Sequence, residues 1–408
     1  MTSSRYNVAT RLDSGATVLV NTLHDTVVEL PPDGTGRDDD LDAVLRAGGF
    51  LVDDDCDELA LVLDAQARTR SATDRLELTI TPTVACNLRC GYCPEIDKRS
   101  RSMDELDEER VLEFATARMA GARSLFVTWF GGEPLLRPGP LVRMSARLAR
   151  LCTFRGVSYG SCVITNGTLL TEGMARDLRR AGVHAARITI DGPRDVHDAL
   201  RPTAGGRGSF DEVLRGVEVA RHHFDTAVGV NVSKANVRSV PALLEELARR
   251  DLTDVTVFFA RVFDPEGSAT TLPVGRYARH EVEFLDQARS LGLRIPRGGG
   301  PSDAVPCSAV KHNHFVLEPG GDVKRCYTEV TDASKSVGAL SAGEFHPTVR
   351  DEVWMEHELT DEGCRACAFL PLCHGGCPKL KMGMLDKERE VCTPRKFNLG
   401  ELVRRGLW

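Results

Sequence analysis

Three cysteines of the 408-residue chain, Cys86, Cys90 and Cys93, stand in a Cys-x3-Cys-x2-Cys run. Three thiolates hold three irons of a 4Fe-4S cube, whose usual complement is four, and so leave one iron open. An open coordination position is what separates catalytic from structural metal sites. Beside a cavity, such an iron can chelate a substrate or cofactor. The other reading of the run is a zinc loop short of its fourth ligand. Seven further cysteines crowd the C-terminal quarter: Cys307, Cys326, Cys364, Cys367, Cys373, Cys377 and Cys392. Of the 13 cysteines, these leave Cys56, Cys152 and Cys162 to be read as small buried hydrophobes. Only Cys162 sits on a stretch leading into the polar motif at 165–166.

Three short motifs accompany the first run. In Gly131-Gly132-Glu133-Pro134 the glycines permit a close backbone approach, and Glu133 is suited to accept hydrogen bonds from an ammonium group. Thr165-Asn166-Gly167 is the second. The third runs Asp191-Gly192-Pro193, His197-Asp198 and Arg201-Pro202. Asp191 and Arg201 are candidates for contact with a cofactor or substrate. His197 and Asp198 read equally well as helix-capping and turn groups.

What positions these residues is an alternation of apolar strands with amphipathic helical stretches from 76 to 298, the signature of a parallel sheet with crossover helices. Strands are expected over 76–83, 124–130, 157–165, 185–190, 227–233 and 254–263. Helices are expected over 104–119, 140–150, 171–181, 210–222 and 239–250. Six βα units predict an α/β fold built on a partial (β/α)6 TIM-type barrel, with its chemistry at the C-terminal strand ends. The cysteine run and the three motifs follow the first four strands. Residues 1–75 read as a small α+β unit, two strands over 6–12 and 16–21 and then helices from 41 and near Asp53–Asp55. Such a unit is either a peptide-recognition element that adds a strand to a sheet edge or a packing cap. Residues 299–408 read as a separate cysteine-rich domain, joined through Gly298-Gly299-Gly300.

Composition narrows the partners. Hydrophobic residues make up 42% and charged residues 27%, as in folded globular chains. With 59 acidic against 52 basic residues, the net charge of -7 attracts neither nucleic acid nor an anionic membrane. No apolar run approaches a membrane span, and the first residues lack a signal-peptide core. A cytoplasmic location is expected, and there spaced cysteines more often hold a metal than a disulfide.

The Cys86-Cys90-Cys93 run, with Tyr92 before its last cysteine, resembles the signature of the radical S-adenosylmethionine (SAM) enzymes. That resemblance implies a 4Fe-4S cluster whose open iron chelates SAM, and a 5'-deoxyadenosyl radical that abstracts hydrogen. It also implies SAM contacts from Tyr92, Gly131, Gly132, Glu133, Thr165, Asn166, Asp191 and Arg201. The seven later cysteines are similar to the SPASM pattern. By that resemblance Cys364, Cys367, Cys373 and Cys392 hold a distal auxiliary 4Fe-4S cluster, and Cys307, Cys326 and Cys377 a proximal one. Some members carry an eighth cysteine where this chain has Asn313, flanked by His312 and His314. The proximal cluster is then completed by a histidine or keeps an open iron.

The pattern after Asp191 is similar to that of peptide- and sulfatase-maturing members. In the sulfatase maturases an aspartate base follows the cysteine equivalent to Cys326; here Tyr327 stands in its place, which argues against formylglycine formation. Tyr327 and Glu329 are the alternative proton acceptors or substrate contacts. The resemblance implies a maturase that crosslinks a ribosomally made precursor peptide, with an electron donor such as a flavodoxin or ferredoxin. The alternatives are a radical dehydrogenase or epimerase acting on a small metabolite or a peptide residue, and, in another class, a zinc-binding interaction protein.

Overall fold

The structure, a computed structural model, describes residues 1–30, 39–93, 101–262, 270–296, 307–358, 360–384 and 391–408. The glycine linker at 298–300 and the end of the expected sixth strand at Phe263 lie outside the described residues.

The N-terminal unit begins with β1 (Thr2–Ser3), followed by β2 (Asn7–Arg11), β3 (Thr17–Asn21) and β4 (Thr26–Leu30), an antiparallel sheet in that order. The sequence reading found β2 and β3 and missed β4, whose start is set by a turn with Asp25 at φ 52°. There follow α1 (Asp39–Ala47), β5 (Leu51–Val52), which pairs with β1, and α2 (Glu58–Ser71). The second helix starts later than Asp53–Asp55 because the Asp57 side chain accepts the Ala60 N–H at 3.0 Å, an N-cap bond.

The next part contains β6 (Arg75–Ile80), α3 (Glu105–Arg118), β7 (Ser124–Trp129), α4 (Pro138–Arg155), β8 (Ser158–Thr165), α5 (Glu172–Arg180), β9 (Ala185–Thr189), α6 (Arg194–Leu200), α7 (Phe210–Ala220), β10 (Asp225–Val232), α8 (Val240–Arg249), β11 (Thr256–Arg261) and α9 (Val274–Ser290). The six strands β6 to β11 are parallel and adjacent in chain order, which is the expected partial barrel. One face of each strand buries apolar residues under the helices: Leu76, Leu78 and Ile80 on β6, Ala186 and Ile188 on β9, Val228 and Val230 on β10. Alternate residues turn into the barrel. The capping box of Asp104 and Asp107 starts α3. Helices α6 and α9 were not in the sequence reading.

The last part contains β12 (His314–Leu317), β13 (Asp322–Lys324), β14 (Gly338–Ser341), β15 (Glu344–Pro347), α10 (Val349–Glu356), α11 (Glu362–Arg365), α12 (Leu370–Cys373) and α13 (Arg395–Arg404). Strand β12 pairs in parallel with β6, His314 opposite Glu77 and Leu317 opposite Ile80. Strands β13 to β15 continue antiparallel, so the barrel sheet reaches ten strands. All four residues of β12 are buried, so it carries no period-2 alternation by which a strand is recognised. Side-chain bonds add to that ladder, among them the Gly320 N–H donating to Asp107 at 2.9 Å and Arg404 donating to the Arg11 carbonyl at 3.1 Å.

Candidate functional site

The segment that follows β6 carries Cys86, Cys90 and Cys93, and both of its sides are clamped by the motifs. On one side the Gly132 N–H donates to the Thr83 carbonyl at 3.1 Å and the Glu133 N–H to the Ala85 carbonyl at 2.8 Å. A Cβ on Gly132 would lie 2.2 Å from the Ala85 oxygen, and Gly131, at φ +114°, would place one 2.5 Å from the Thr83 oxygen. The close approach expected of the two glycines is therefore made by the cysteine loop itself. On the other side the Arg89 N–H donates to the Pro202 carbonyl at 2.8 Å, and the Ala204 N–H to Asn87 at 2.8 Å. Asn166 Nδ2 also donates to Asn87 Oδ1 at 2.8 Å.

Glu133 joins the two motifs. Its side chain is wholly buried, and both oxygens are occupied: Oε1 accepts from Thr165 Oγ1 at 2.7 Å and from the Leu135 N–H at 2.9 Å, and Oε2 from the Asn166 N–H at 2.7 Å. Burial raises its pKa, and those three bonds oppose the rise. Glu133 therefore positions Thr165 and Asn166.

Asp191 is enclosed in the same way. It is fully buried at the end of β9, where Oδ1 accepts the Asn231 N–H at 2.8 Å and Oδ2 accepts the Tyr92 hydroxyl. Arg201 Nη1 donates to the Tyr92 oxygen at 2.5 Å and lies 3.5 Å from Asp191 Oδ2. Burial raises the Asp191 pKa, opposed first by Arg201. The Tyr92 pKa is raised by burial, so the phenol stays protonated and donates. The Cys90 charge acts on both Tyr92 and Arg201, which places the buried guanidinium beside the cysteine loop. Asn231 and Asn236 complete this network, with Asn236 donating to the Asp191 carbonyl at 2.7 Å. Neither was singled out from the sequence, although a polar Asn231 inside the apolar run of β10 was a signal.

His197 and Asp198 take the capping reading. The Asp191 N–H donates to His197 Nδ1 at 3.3 Å, and Nε2 lies 3.2 Å from Ser209 Oγ, so the buried ring is neutral, its pKa pushed down to about 3 by burial. Asp198 accepts the Ser209 and Phe210 N–H groups at 2.8 Å at the start of α7.

The later cysteines gather in two places. Cys364, Cys367, Cys373 and Cys392 all line one cavity of about 220 Å³. Lys381 Nζ donates to Cys364 Sγ at 3.0 Å. Cys307, Cys326 and Cys377 interact through their charges; burial pushes the Cys307 thiol up to about 12, and Cys326 and Cys377 add to the rise. Asn313 turns away, its amide donating to the Thr73 and Arg75 carbonyls at 3.2 Å. Among the described residues no three of His, Cys, Asp and Glu converge on one mononuclear ion. A cube spreads its thiolates further apart than a single ion does, and the 220 Å³ space between four cysteines fits the larger group.

The barrel encloses a cavity of about 410 Å³, lined among others by Thr79, Thr128, Arg187, Asn231, His314 and Tyr327. Tyr327 projects into it with 55% of its surface accessible, its ring 5.5 Å edge-on from Phe130. Glu329 is 2% exposed and does not line this cavity; Oε1 pairs with Arg350 at 3.2 Å, and Oε2 is buried with no hydrogen-bond partner among the described residues. Arg187 was also missed in the sequence, where a cation inside an apolar strand was its signal. Cys152 and Cys162 are buried as expected, and Cys162 does not line the barrel cavity, whereas Cys56 is exposed at the turn before α2 and so is not a buried hydrophobe. Among the described residues no helix is long and apolar enough to cross a membrane.

Comparison with known proteins agrees with this architecture. Residues 80–247 match the model of the Radical SAM superfamily. The chain is 31% identical to a serine-type anaerobic sulfatase-maturating enzyme of Bacteroides thetaiotaomicron, over 72% of this chain and 80% of that protein. It is likewise 31% identical to an AdoMet-dependent heme synthase of Methanosarcina barkeri, over 72% of this chain and 88% of that one. Among solved structures, anSMEcpe with bound AdoMet and the Cp18Cys peptide superposes with a TM-score of 0.62 at 19% identity, covering 81% of this chain and 98% of that one. SuiB of Streptococcus suis, bound to its precursor peptide SuiA, gives 0.54 at 14% identity, covering 96% of this chain and 98% of that one.

Proposed function

Because the chain belongs to the radical SAM superfamily, and is thus an oxidoreductase-type enzyme using SAM at an iron–sulfur cluster, we propose that it is a peptide maturase. Its substrate is a residue of a ribosomally made precursor peptide, and its product a thioether, C–C or C–O crosslink. When bound, SAM and its cluster would supply a 5'-deoxyadenosyl radical, and auxiliary clusters would be the sink or relay for the electron released in bond formation. Cys86, Cys90 and Cys93 would hold the first cluster. The set Cys364, Cys367, Cys373 and Cys392 would hold the distal auxiliary cluster, and Cys307, Cys326 and Cys377 the proximal one. Tyr92 is held beside them by Asp191 and Arg201, while Gly131, Gly132, Thr165 and Asn166 shape the SAM end of the barrel. Its reductant would be a flavodoxin or ferredoxin. The unit at 1–75 is the candidate holder of the peptide outside the barrel, ahead of the barrel at 76–298 and the SPASM part at 299–408.

The observation that carries the crosslink over formylglycine formation is Tyr327. In the sulfatase maturases that the chain resembles, an aspartate at this position takes the hydroxyl or thiol proton as the side chain is oxidised to an aldehyde. A phenol, and no carboxylate, stands at that point among the described residues lining the cavity. The relationship to a heme synthase favours a second reading, a small-molecule substrate in the same lumen, whose 410 Å³ is of ordinary ligand-site size. The zinc-binding interaction protein has no such support.

The test is anaerobic reconstitution, iron counting, and 5'-deoxyadenosine assay with and without a short peptide encoded beside the gene. About twelve irons, four for each of three clusters, with cleavage stimulated by the peptide, loss of two hydrogens from it, fragment ions that show two residues joined and no aldehyde captured by a hydrazide, is the expected result. A hydrazide-captured aldehyde, from a serine that has lost two hydrogens or a cysteine whose sulfur is replaced by oxygen, or stimulation by a small metabolite alone, would replace this reading.

A further inference from the structure

The barrel cavity holds one formally charged side chain among its described lining residues, that of Arg187. Its neighbours Ala186 and Ile188 are wholly buried beneath the helices, so the alternation of β9 turns Arg187 and Thr189 into the lumen. The guanidinium lies 5.9 Å from the centre of the Phe258 ring. No carboxylate pairs with it among the described residues, although arginines elsewhere in the fold are commonly paired, Arg201 with Asp191 and Arg325 with Asp351 among them. His314 also lines the cavity, 5% exposed, with no partner on Nδ1 among the described residues and held neutral by burial.

A guanidinium is a planar fork of donors that matches a carboxylate in two parallel bonds, and Arg187 is exposed, so that fork is accessible to an incoming group. The remaining wall is made of threonines, Asn231, Phe130, Phe258 and Ala260, which supply no counter-charge. The methionyl carboxylate of SAM is one possible source of the anion. The residues assigned to the SAM end, Gly131, Gly132, Thr165 and Asn166, do not line this cavity, whereas Tyr327, next to Cys326, does. The charge of Arg187 also reaches Tyr327.

We propose that Arg187 anchors a carboxylate of the substrate, the Asp or Glu side chain of the peptide segment that enters the barrel. The inference rests on the peptide-maturase reading and deepens it: the peptide carries an acidic residue near the residue that is modified. Arg187 is a positioning residue that sets which hydrogen faces the radical.

The experiment incubates SAM-loaded holoenzyme, anaerobically, with a pooled library of acetylated and amidated pentapeptides randomised at every position. The retained pool is separated by gel filtration and sequenced by mass spectrometry, before and after reduction with dithionite. Wild-type enzyme is expected to enrich Asp and Glu by at least about fivefold, as one charge-assisted bidentate pair allows. Arg187→Gln should lose that enrichment, Arg187→Lys should keep part of it, and Arg187→Glu should prefer Lys and Arg. The SAM dissociation constant of Arg187→Gln should stay within about twofold of wild type, since no SAM contact is removed. A tenfold rise would assign the anion to SAM and overturn the proposal. Retention without acidic enrichment, or no retention, would overturn it as well. Acidic enrichment with no peptide losing two hydrogens would leave Arg187 its role and count against the maturase reading; modified peptides without acidic preference would do the reverse.

Discussion

The Glu133 carboxylate accepts the backbone N–H of Asn166 at 2.7 Å, joining the turn after β7 to the turn after β8 inside the protein. Two motifs that each look like ordinary turns are thereby one unit. Their shared work is to hold the loop of Cys86 against the barrel rim, through Gly132 and Glu133 on one side and Asn166 on Asn87 on the other.

Glu133→Gln keeps the shape but turns an NH2, a donor, toward a donor that in the wild type meets a carboxylate oxygen. Leaving a buried donor unmet costs about 1–3 kcal/mol. We expect a lower unfolding temperature together with weaker SAM binding, read by calorimetry. Unchanged SAM affinity in a destabilised variant would show that Glu133 supports the fold alone.

Gly132→Ala has no room beside Ala85, so the cysteine loop must shift. The expected outcome is loss of about four irons and of SAM cleavage, with the auxiliary irons retained. Full iron content and normal cleavage in this variant would disprove the clamping role.

Replacing Cys90 by Ala should abolish SAM cleavage. Cys373→Ala opens the 220 Å³ cavity on one side, and should remove about four irons while some cleavage survives and product formation fails. Complete product from the Cys373 variant would remove the auxiliary-cluster assignment.

His197 stays neutral because burial pushes its pKa from 6.5 to about 3, and protonation would break the bond it accepts from the Asp191 N–H. The unfolded chain therefore binds the proton first. The contribution of neutral His197 is fully present above about pH 6.5 and declines as pH falls toward about 3. Between pH 7.5 and 5.5 the unfolding midpoint of wild type should drop more than that of His197→Gln; parallel curves would contradict it.

Much of this protein was legible along the chain. The order of six strands and the spacing of ten cysteines are local patterns, and the sets at 86–93 and 364–392 need only a loop and a short helix to bring them together. The missed elements lacked a local signature. β12 is buried throughout, and α6 is seven residues long. The side-chain roles were less legible than the motifs. Glu133, Asp191 and Glu329 have the chemistry of catalytic acids or cofactor contacts, yet each is enclosed, and enclosure depends on what other segments bring against it.

The sequence by itself determined the chemistry class, because cluster-binding thiolates and βα alternation are written in residue type and spacing within a few turns of chain. Only the tertiary structure decided which polar groups touch the lumen and which hold the walls. Tyr92 meets Asp191 across 99 positions and Arg201 across 109, while Arg187, four residues before Asp191, faces the cavity with no carboxylate beside it among the described residues. The cost of burying a charge is set by its partners in space, and no local pattern along the chain states who those partners are.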